Sequence, residues 1–576
     1  MVGKIFKKGK KLLISPQSSV LSAATIIMLM IVASRLLGLI RQRVLAHYLT
    51  PDEISLFFAA FRLPDSIFEI LVFGTFSSAF IPIFSKIIDK DKDSAWKLAS
   101  TISNIGLLVF VSLAIILSFS ASGFYDFIAP GFSPDERYQI VQLTKILFVA
   151  QGFFVLSYVL TGVLESLRRF LIPALAPLFY NLGIIFGIVA LTDSFGLTAP
   201  AIGVFIGAMA HFLIQLPLAV KLGYKITTSF SIDENVRKVG RLATPRVLEI
   251  SFNQIVKYTE LYLASFISTA AYAYYYLGNT IQLIPVGIFG TSIAKAALPT
   301  LSKQAGEMAK FRKSLWNSFS QIVFLVMPVA TIFIVLRIPI VRIVYGTEIF
   351  DWESTIQTSK VVSAFAIGVV FQACASLLAR AFYALNDTKT PVGISIFSMI
   401  LMIILNFYFI RVLNLPVWGI AFSFSLGSVV QACALFILIR KKTGSGPISS
   451  LLKPVSKAAA ASFISGGVMF IFLKLFDRSV WIKRMSFLGI IKGTENIQFE
   501  KFVLDTRFTA NLFVLTFFVS LIGVIIYLGL SILFRSKEVW VFLNLVKRLL
   551  DKRKLTPIPP DEKEQISPTP TDSSSV

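Results

Sequence analysis

Three arginines lie within the first apolar stretch of the chain, which runs from residue 22 to residue 45: Arg35, Arg41 and Arg43. A guanidinium among lipid tails costs roughly 2.5 to 3.5 kcal/mol on insertion scales, so an arginine in a membrane span normally faces a polar interior or a partner charge. The three residues therefore predict a cationic cavity within a bilayer. The alternative is topological, since Arg41 and Arg43 could extend to the outer interface and leave only Arg35 deep in the membrane.

Two further cations inside apolar stretches, Arg62 and Lys257, are secondary candidates for the same cavity. Acidic residues stand near them at helical spacing, namely Asp65, Glu69 and Glu260. Arg62 and Lys257 could therefore form structural ion pairs instead of binding a ligand.

The sequence carries no signature of bond chemistry. Its two histidines, His47 and His211, are far apart, which argues against a histidine-rich metal site. No Walker-type Gly-Lys-Ser occurs, and no nucleophile is paired with a base. Cys374 and Cys433 both lie in apolar stretches and cannot form the framework of a disulfide-rich secreted domain. We expect a protein that is not an enzyme, holds no metal and needs no cofactor.

The composition is that of a membrane protein. The chain is 55% hydrophobic and only 15% charged, and its mean hydropathy is +0.77, which a soluble domain of this length does not reach. A formal net charge of +24 would also suit nucleic-acid binding. Lys and Arg are concentrated in short loops between apolar stretches, however, where the positive-inside rule accounts for them. Nucleic-acid binding is therefore disfavoured.

Fourteen apolar stretches are long enough to span a membrane. Basic residues recur on every second loop between them, which places both termini in the cytoplasm. Loop 477–507 departs from this pattern and is interpreted as an extracytoplasmic insertion. The predicted spans are residues 22–45, 61–85, 98–119, 139–165, 173–192, 199–220, 243–267, 272–299, 315–336, 357–384, 391–410, 417–439, 455–476 and 508–534.

An internal repeat with an offset of about 217 residues organises the spans. Phe73-Gly74-Thr75 recurs as Phe289-Gly290-Thr291, and Pro173 recurs as Pro391. Six spans per repeat is an even number, so the two halves would share one orientation and flank a central site. Rocking of the two halves would open that site to each side of the membrane in turn.

The expected fold class is an all-α polytopic membrane protein, in which two pseudo-symmetric six-helix lobes and two C-terminal helices surround a central cavity. The predicted parts are a basic cytoplasmic N-terminus (1–21), an N-terminal lobe (22–225), a C-terminal lobe (226–442), two additional helices with the extracytoplasmic loop (443–534), an amphipathic helix at the membrane surface (535–555) and a disordered tail (556–576).

Five words of the sequence stand in an order that is typical of one protein family. They are ASRLLG at 33–38 followed by Arg41, FFAAFRLP at 57–64, GTFSSAFIP at 74–82, APGF at 129–132 and RAFYALNDTKTP at 380–391. With these words the chain resembles the MurJ (MviN) lipid II flippase family across roughly residues 18 to 534. The resemblance implies the fold of multidrug/oligosaccharidyl-lipid/polysaccharide exporters, in the inner membrane of a bacterium.

The same resemblance implies a substrate, the undecaprenyl-pyrophosphate-linked peptidoglycan precursor, and a place beside the peptidoglycan synthesis machinery. Arg35 and Arg41 match the arginines of the family's first helix and would bind the head group, because a guanidinium can hold a pyrophosphate in a bidentate manner. The lipid tail would remain in a groove.

The chain departs from the family at several cationic positions. Phe68 and Glu69 stand where the family usually has two arginines, Phe73 replaces an acid, and Thr280 replaces an arginine of the eighth helix. Lys257 and Lys295 would restore positive charge from other helix faces. The other interpretation is that the cavity binds a lipid that carries a different glycan.

An ion-coupling site would need polar groups inside the spans, and the sequence offers Asn406 and Glu249. Ile410 occupies the position one turn after Asn406 where a carboxylate would help to bind sodium. Coupling to the membrane potential or to a cation gradient is compatible with these residues. We therefore expect a lipid II flippase that works by alternating access. The alternatives are a flippase for another lipid-linked polysaccharide unit, a cation-coupled drug exporter and a scaffold without transport.

Overall fold

The computed structural model describes residues 20–73, 80–225, 227, 229–444, 448–477, 504 and 508–550. Within these ranges the regular secondary structure is helical, apart from one isolated bridge between Asp477 and Leu504. The Gly74-Thr75 half of the predicted repeat, most of loop 477–507 and the predicted tail 556–576 lie outside the described residues. The described part confirms an all-α protein.

The N-terminal lobe consists of long helices joined by short turns. Thr50 and Ser133 each form a capping box with an acid three residues later, and a proline follows each cap. The helices are α1 (Val20–Tyr48), α2 (Pro51–Phe68), α3 (Ile81–Ile88), α4 (Lys92–Ile128), α5 (Pro134–Ser166), α6 (Leu171–Phe195), α7 (Thr198–Leu213) and α8 (Leu216–Lys221).

The C-terminal lobe repeats this pattern of long helices, and Asp233 and Asp351 cap two of them. Its helices are α9 (Glu234–Ser265), α10 (Ala271–Pro285), α11 (Ser292–Lys303), α12 (Met308–Val335), α13 (Arg337–Tyr345), α14 (Trp352–Ala384), α15 (Lys389–Phe407) and α16 (Trp418–Thr443). Three further helices follow, namely α17 (Ile448–Phe476), α18 (Thr509–Leu533) and α19 (Lys537–Leu550).

Two π-helical segments mark the repeat in the structure. Glu69–Phe73 extends α2, and Val286–Thr291 joins α10 to α11. The segments begin at residues 69 and 286, which are 217 residues apart, the offset that the sequence repeat predicts. Segments of this kind interrupt the regular helical hydrogen bonds and often occur at functional sites.

Eleven helices in the described ranges are long and apolar enough to cross a membrane. They account for eleven of the predicted spans. The remaining three, 22–45, 61–85 and 243–267, coincide with α1, with α2 and α3, and with α9. These three regions carry the charged residues singled out in the sequence and are not among the eleven helices that are apolar enough to cross a membrane. The total of fourteen spans therefore stays a prediction.

Helix packing within the N-terminal lobe depends on glycines at one contact. Gly183 and Gly187 of α6 face Gly207 and Gly203 of α7, and a Cβ atom on either α6 glycine would overlap the α7 backbone. Small residues at such contacts let membrane helices approach closely. The lobe is consequently tight where α6 and α7 meet, and the cavity described below lies beside α6.

Helix α19 occupies the predicted amphipathic region. Val539 is fully buried and packs with Phe324 of α12 and Tyr527 of α18, and Phe542 lies against the same cluster. Trp540 is 56% exposed. One face of α19 is thus docked on the C-terminal helices while Trp540 remains exposed, and binding of this helix to a membrane surface stays a prediction.

Candidate functional site

A cavity of about 200 Å3 is formed by α1, α2 and α6 of the N-terminal lobe where Tyr276 of α10, in the other lobe, meets them. Arg41 supplies a positive charge to its wall and Asp65 a negative one. The other lining residues are Gln42, Leu45, Phe57, Phe58, Phe61, Tyr180, Ile184 and Tyr276. The structure therefore places Arg41 at a cavity whose wall also contains a carboxylate, and a role of Arg41 in binding stays a prediction.

Asp65 is held by neighbours rather than left free in the wall. The side-chain amide of Gln151 donates a hydrogen bond to its carboxylate. The charges of Arg62 and Lys257 also lie close enough to act on it. These groups offset the negative charge of Asp65, so the field of Arg41 still acts on the cavity.

Arg35 reaches from α1 of one lobe to α10 of the other. Its guanidinium donates a 3.5 Å hydrogen bond to the carbonyl of Leu283 and lies directly over Gly287. A Cβ atom at position 287 would overlap the guanidinium. Gly287 belongs to the π-helical segment Val286–Thr291, so this segment provides the space in which Arg35 lies.

Arg43 binds the C-terminal end of α13. Its guanidinium donates hydrogen bonds to the carbonyls of Ile343, at 2.5 Å, and Val344, at 3.4 Å. The last carbonyls of a helix carry a partial negative charge, which a cation stabilises. Arg43 thus joins the two lobes and is not among the residues that line the cavity.

Arg62 is only 8% exposed and lies against aromatic rings. Its Cζ atom is 5.7 Å from the ring centroid of Tyr272 and 5.9 Å from that of Tyr276. The carboxylates of Asp65 and Glu260 also act on its charge. The rings account for its burial, but its buried Nε atom has no hydrogen-bond partner among the described residues, so a role of Arg62 in binding stays a prediction.

Lys257 forms an ion pair with Glu69, and this pair joins the lobes. The Nζ atom of Lys257 is 2.7 Å from one carboxylate oxygen of Glu69 and 2.9 Å from the other. Gln254 donates to the same carboxylate at 2.6 Å, and Ser66 donates to Gln254 at 3.0 Å. The ion pair that the sequence left as an alternative is therefore present, with Glu69 as the partner.

The remaining predicted residues lie apart from the cavity wall. Asn406 on α15 is buried, and its side-chain oxygen has no hydrogen-bond partner among the described residues. Lys295 on α11 is exposed. Thr280 donates to the carbonyl of Tyr276 within α10. The backbone of Glu249 belongs to α9, but its side chain lies outside the described residues.

Sequence reasoning missed the glutamines and the tyrosines of the site. Gln151 and Gln254 are buried hydrogen-bond donors to Asp65 and Glu69. Amide side chains inside apolar spans are a usable signal, because each must find a partner there. The aromatic run at the start of α10 contains Tyr272 and Tyr276, and its clustering could also have been noticed.

The lobes touch at the membrane end where α1 terminates. Thr347 donates to the carbonyl of Ala46 at 2.7 Å, and Thr269 donates to Glu136 at 2.8 Å. The backbone N–H of Gly131 donates to Ser265 at 3.2 Å. Together with the Arg43 contact, these bonds define what we term the closed end of the cavity.

Comparison with known proteins identifies the relatives of the chain. A model of the family described as lipid II flippase MurJ matches residues 45–491, a segment that begins just after the three arginines of α1. A probable lipid II flippase MurJ of Synechocystis sp. is 27% identical over 413 residues, covering 68% of this chain and 76% of that protein. One from Vibrio cholerae is 28% identical over 407 residues, with 68% and 77% covered.

Solved structures share the fold. A lipid II flippase MurJ in an inward closed conformation superposes with a TM-score of 0.72 at 24% identity, covering 89% of this chain and 99% of that one. A multidrug resistance MATE family transporter in an inward-facing conformation gives 0.59 at 14% identity, with 73% and 96% covered. Since the family match extends over more than half of the chain, the protein belongs to the lipid II flippase MurJ family.

Proposed function

We propose that this protein moves lipid II from the inner to the outer leaflet of a bacterial inner membrane. The observation that carries the proposal is Arg41 in the wall of a cavity between two lobes of the family fold. Transport would proceed by alternating access, with the cavity exposed to each side in turn. No covalent step is needed, because the same molecule leaves that entered.

The pyrophosphate of the substrate would bind Arg41, with Arg35 as the second guanidinium. Both arginines belong to α1, and a guanidinium fork matches two phosphate oxygens. Gln42, which lines the cavity, has a buried side-chain oxygen without a hydrogen-bond partner among the described residues. An amide oxygen accepts hydrogen bonds, so this atom favours an occupant that donates one and not the ionised diphosphate itself.

The size of the cavity sets how much of the substrate this conformation could hold. Its volume of about 200 Å3 lies below the roughly 300 to 1,000 Å3 of sites for drug-sized ligands. A diphosphate fits such a volume, whereas a disaccharide with its peptide does not. The glycan and the peptide would therefore enter only when the lobes separate.

The proposed orientation follows from the positions of the basic loops. With both termini in the cytoplasm, the closed end faces the outside. The described conformation would then be one in which the outer exit is shut by Arg43, Thr347 and Thr269. The membrane potential or a cation gradient would supply the energy for the return of the empty protein.

The proposal is tested in bacterial cells depleted of their own lipid II flippase. The wild-type protein should restore growth and the exposure of lipid II on the outer leaflet. The double variant Arg35→Ala, Arg41→Ala should lower that exposure at least about tenfold, since a charge-assisted contact is worth roughly 1.5 to 3 kcal/mol. The matched control is Lys310→Ala, which removes an exposed cation that is paired with Glu307 and does not line the cavity.

Protein abundance in the membrane must be equal for all variants. Full rescue by the double variant would contradict a role for the two arginines. Expressed wild-type protein that gives no rescue would contradict lipid II as the substrate and indicate another lipid-linked glycan.

A further inference from the structure

The donors that bind the carboxylate of Glu69 among the described residues belong to the opposite lobe. Glu69 belongs to the π-helical segment that extends α2, whereas its donors Lys257 and Gln254 both belong to α9. The three donor–acceptor distances lie between 2.6 and 2.9 Å. The ammonium of Lys257 and the side-chain amide of Gln254, one turn apart on α9, thus form an anion-binding site, which we term the receptor. In this conformation the receptor holds the carboxylate of Glu69.

The chemistry of this receptor suits a phosphate oxygen as well as a carboxylate oxygen. Both anions accept charge-assisted hydrogen bonds from an ammonium. The side chains of Lys257 and Glu69 are 32% and 29% exposed, so the pair is not sealed in the protein. Another anion can therefore approach Lys257 without first unfolding a helix.

The receptor is also adjacent to the cavity. Asp65 lines the cavity, and Glu69 follows it by one helical turn on the same face of α2. Arg62 is a poorer candidate for the same task, because rings and carboxylates already surround it. Lys257 is thus the cation paired with the acid that lies one turn beyond the cavity wall.

We propose that Lys257 and Gln254 bind the diphosphate of the lipid substrate, and that Glu69 occupies their site until the substrate displaces it. This inference rests on the proposed function. It adds Lys257 and Gln254 to the binding site, and it makes Glu69 an internal competitor of the substrate. The Glu69 pair joins α2 to α9, so its displacement removes a bond between the lobes. Binding of the head group and separation of the lobes are thereby coupled.

The test measures binding of farnesyl pyrophosphate, a short isoprenyl diphosphate, to the purified full-length protein in lipid nanodiscs. If the internal pair is closed about nine-tenths of the time, Glu69→Gln frees Lys257 and tightens binding about tenfold. Lys257→Gln should weaken binding, and the double variant should resemble Lys257→Gln. A purely structural ion pair would not shift the affinity in opposite directions when either partner is removed.

The exposed ion pair between Lys310 and Glu307 supplies a matched control. Glu307→Gln and Lys310→Gln should leave the affinity unchanged. Thermal unfolding of each variant shows whether it is folded, and the charge exchange Glu69→Lys with Lys257→Glu serves as a second variant. This exchange keeps a pair between the lobes but should bind the probe as weakly as Lys257→Gln.

The outcomes separate this inference from the proposed function. Wild-type binding that depends on Arg41 but is unchanged in Glu69→Gln would overturn the displacement and leave the proposed function in place. Absence of binding by both the wild type and Glu69→Gln would overturn both.

Discussion

At the scale of single residues, identical side chains on one helix have different environments. Arg35 lies over a glycine of the opposite lobe, Arg41 lines the cavity, and Arg43 binds carbonyls at the end of α13. All three are arginines of α1, yet of the three only Arg41 lines the described cavity, while Arg35 is exposed beside Gly287. The role of each residue is set by the helix that packs against it.

A titratable residue outside the spans offers a first prediction. Asp387, in the turn between α14 and α15, receives a 2.5 Å hydrogen bond from Lys442 and a 3.0 Å bond from the backbone N–H of Thr390. The bond from Lys442 is the main reason why the pKa of Asp387 falls from 3.8 to about 2. The ionised carboxylate therefore stabilises the fold.

The pKa of Asp387 is lower in the folded protein than in the unfolded chain. The stabilisation by its carboxylate is therefore complete above pH 3.8 and is lost as the pH falls towards 2. Asp387→Ala should lower the free energy of unfolding at pH 7 by about 1 kcal/mol, the usual effect of removing a helix cap. Asp387→Asn keeps the cap, so it should cost less and should reduce the loss of stability between pH 4 and pH 2, of which the lowered pKa of Asp91 and of Asp351 accounts for a further part. Thermal unfolding in detergent at several pH values checks both. Equal pH profiles for the wild type and Asp387→Asn would contradict the assignment.

At the scale of elements, the π-helical segments Glu69–Phe73 and Val286–Thr291 each contribute one of the contacts that join the lobes. Glu69–Phe73 supplies Glu69 to α9, and Val286–Thr291 supplies the glycine beneath Arg35. Such segments widen a helix locally and alter which side chains face a neighbour. The repeat therefore places one interlobe contact in each half of the molecule.

Gly287 allows this idea to be tested. In Gly287→Ala the new Cβ overlaps the end of a flexible arginine, so we expect the fold to survive and Arg35 to move away. Outward exposure of lipid II should fall roughly five- to tenfold, which corresponds to about 1 to 1.4 kcal/mol. Gly393→Ala on α15, where no atom lies within 4 Å of a new Cβ, is the matched control.

A double-variant comparison separates the effect on Arg35 from a general effect on the helix. In an Arg35→Ala background, Gly287→Ala should cause no further loss. An additional loss of similar size would show that Gly287 acts independently of Arg35.

At the scale of the whole molecule, the helical fold and the 217-residue offset could be predicted from the sequence. Apolar stretches identify membrane helices because each must bury its backbone polar groups within itself. The Glu69–Lys257 pair could not be assigned in the same way, since 188 residues separate its partners and Glu260 stood closer in sequence. The choice between Glu69 and Glu260 depends on how α2 and α9 pack, which no local pattern records.

Alternating access requires the closed end to open during each cycle, and this requirement gives the last prediction. Ala46 and Thr347 are joined by a hydrogen bond across the lobes, so a short thiol cross-linker should join Ala46→Cys and Thr347→Cys in the described conformation. Cys433 is exposed and would first be replaced by serine. Outward exposure of lipid II should then fall at least about tenfold and return when the linker is cleaved, because a rigid link between the lobes blocks their rocking. A pair within one lobe, Ser395→Cys with Gln431→Cys, controls for the modification itself, since the side-chain nitrogen of Gln431 on α16 is 2.9 Å from the hydroxyl oxygen of Ser395 on α15.

Full transport by protein that is completely cross-linked at Ala46 and Thr347 would show that the substrate leaves without separation of the lobes at this end.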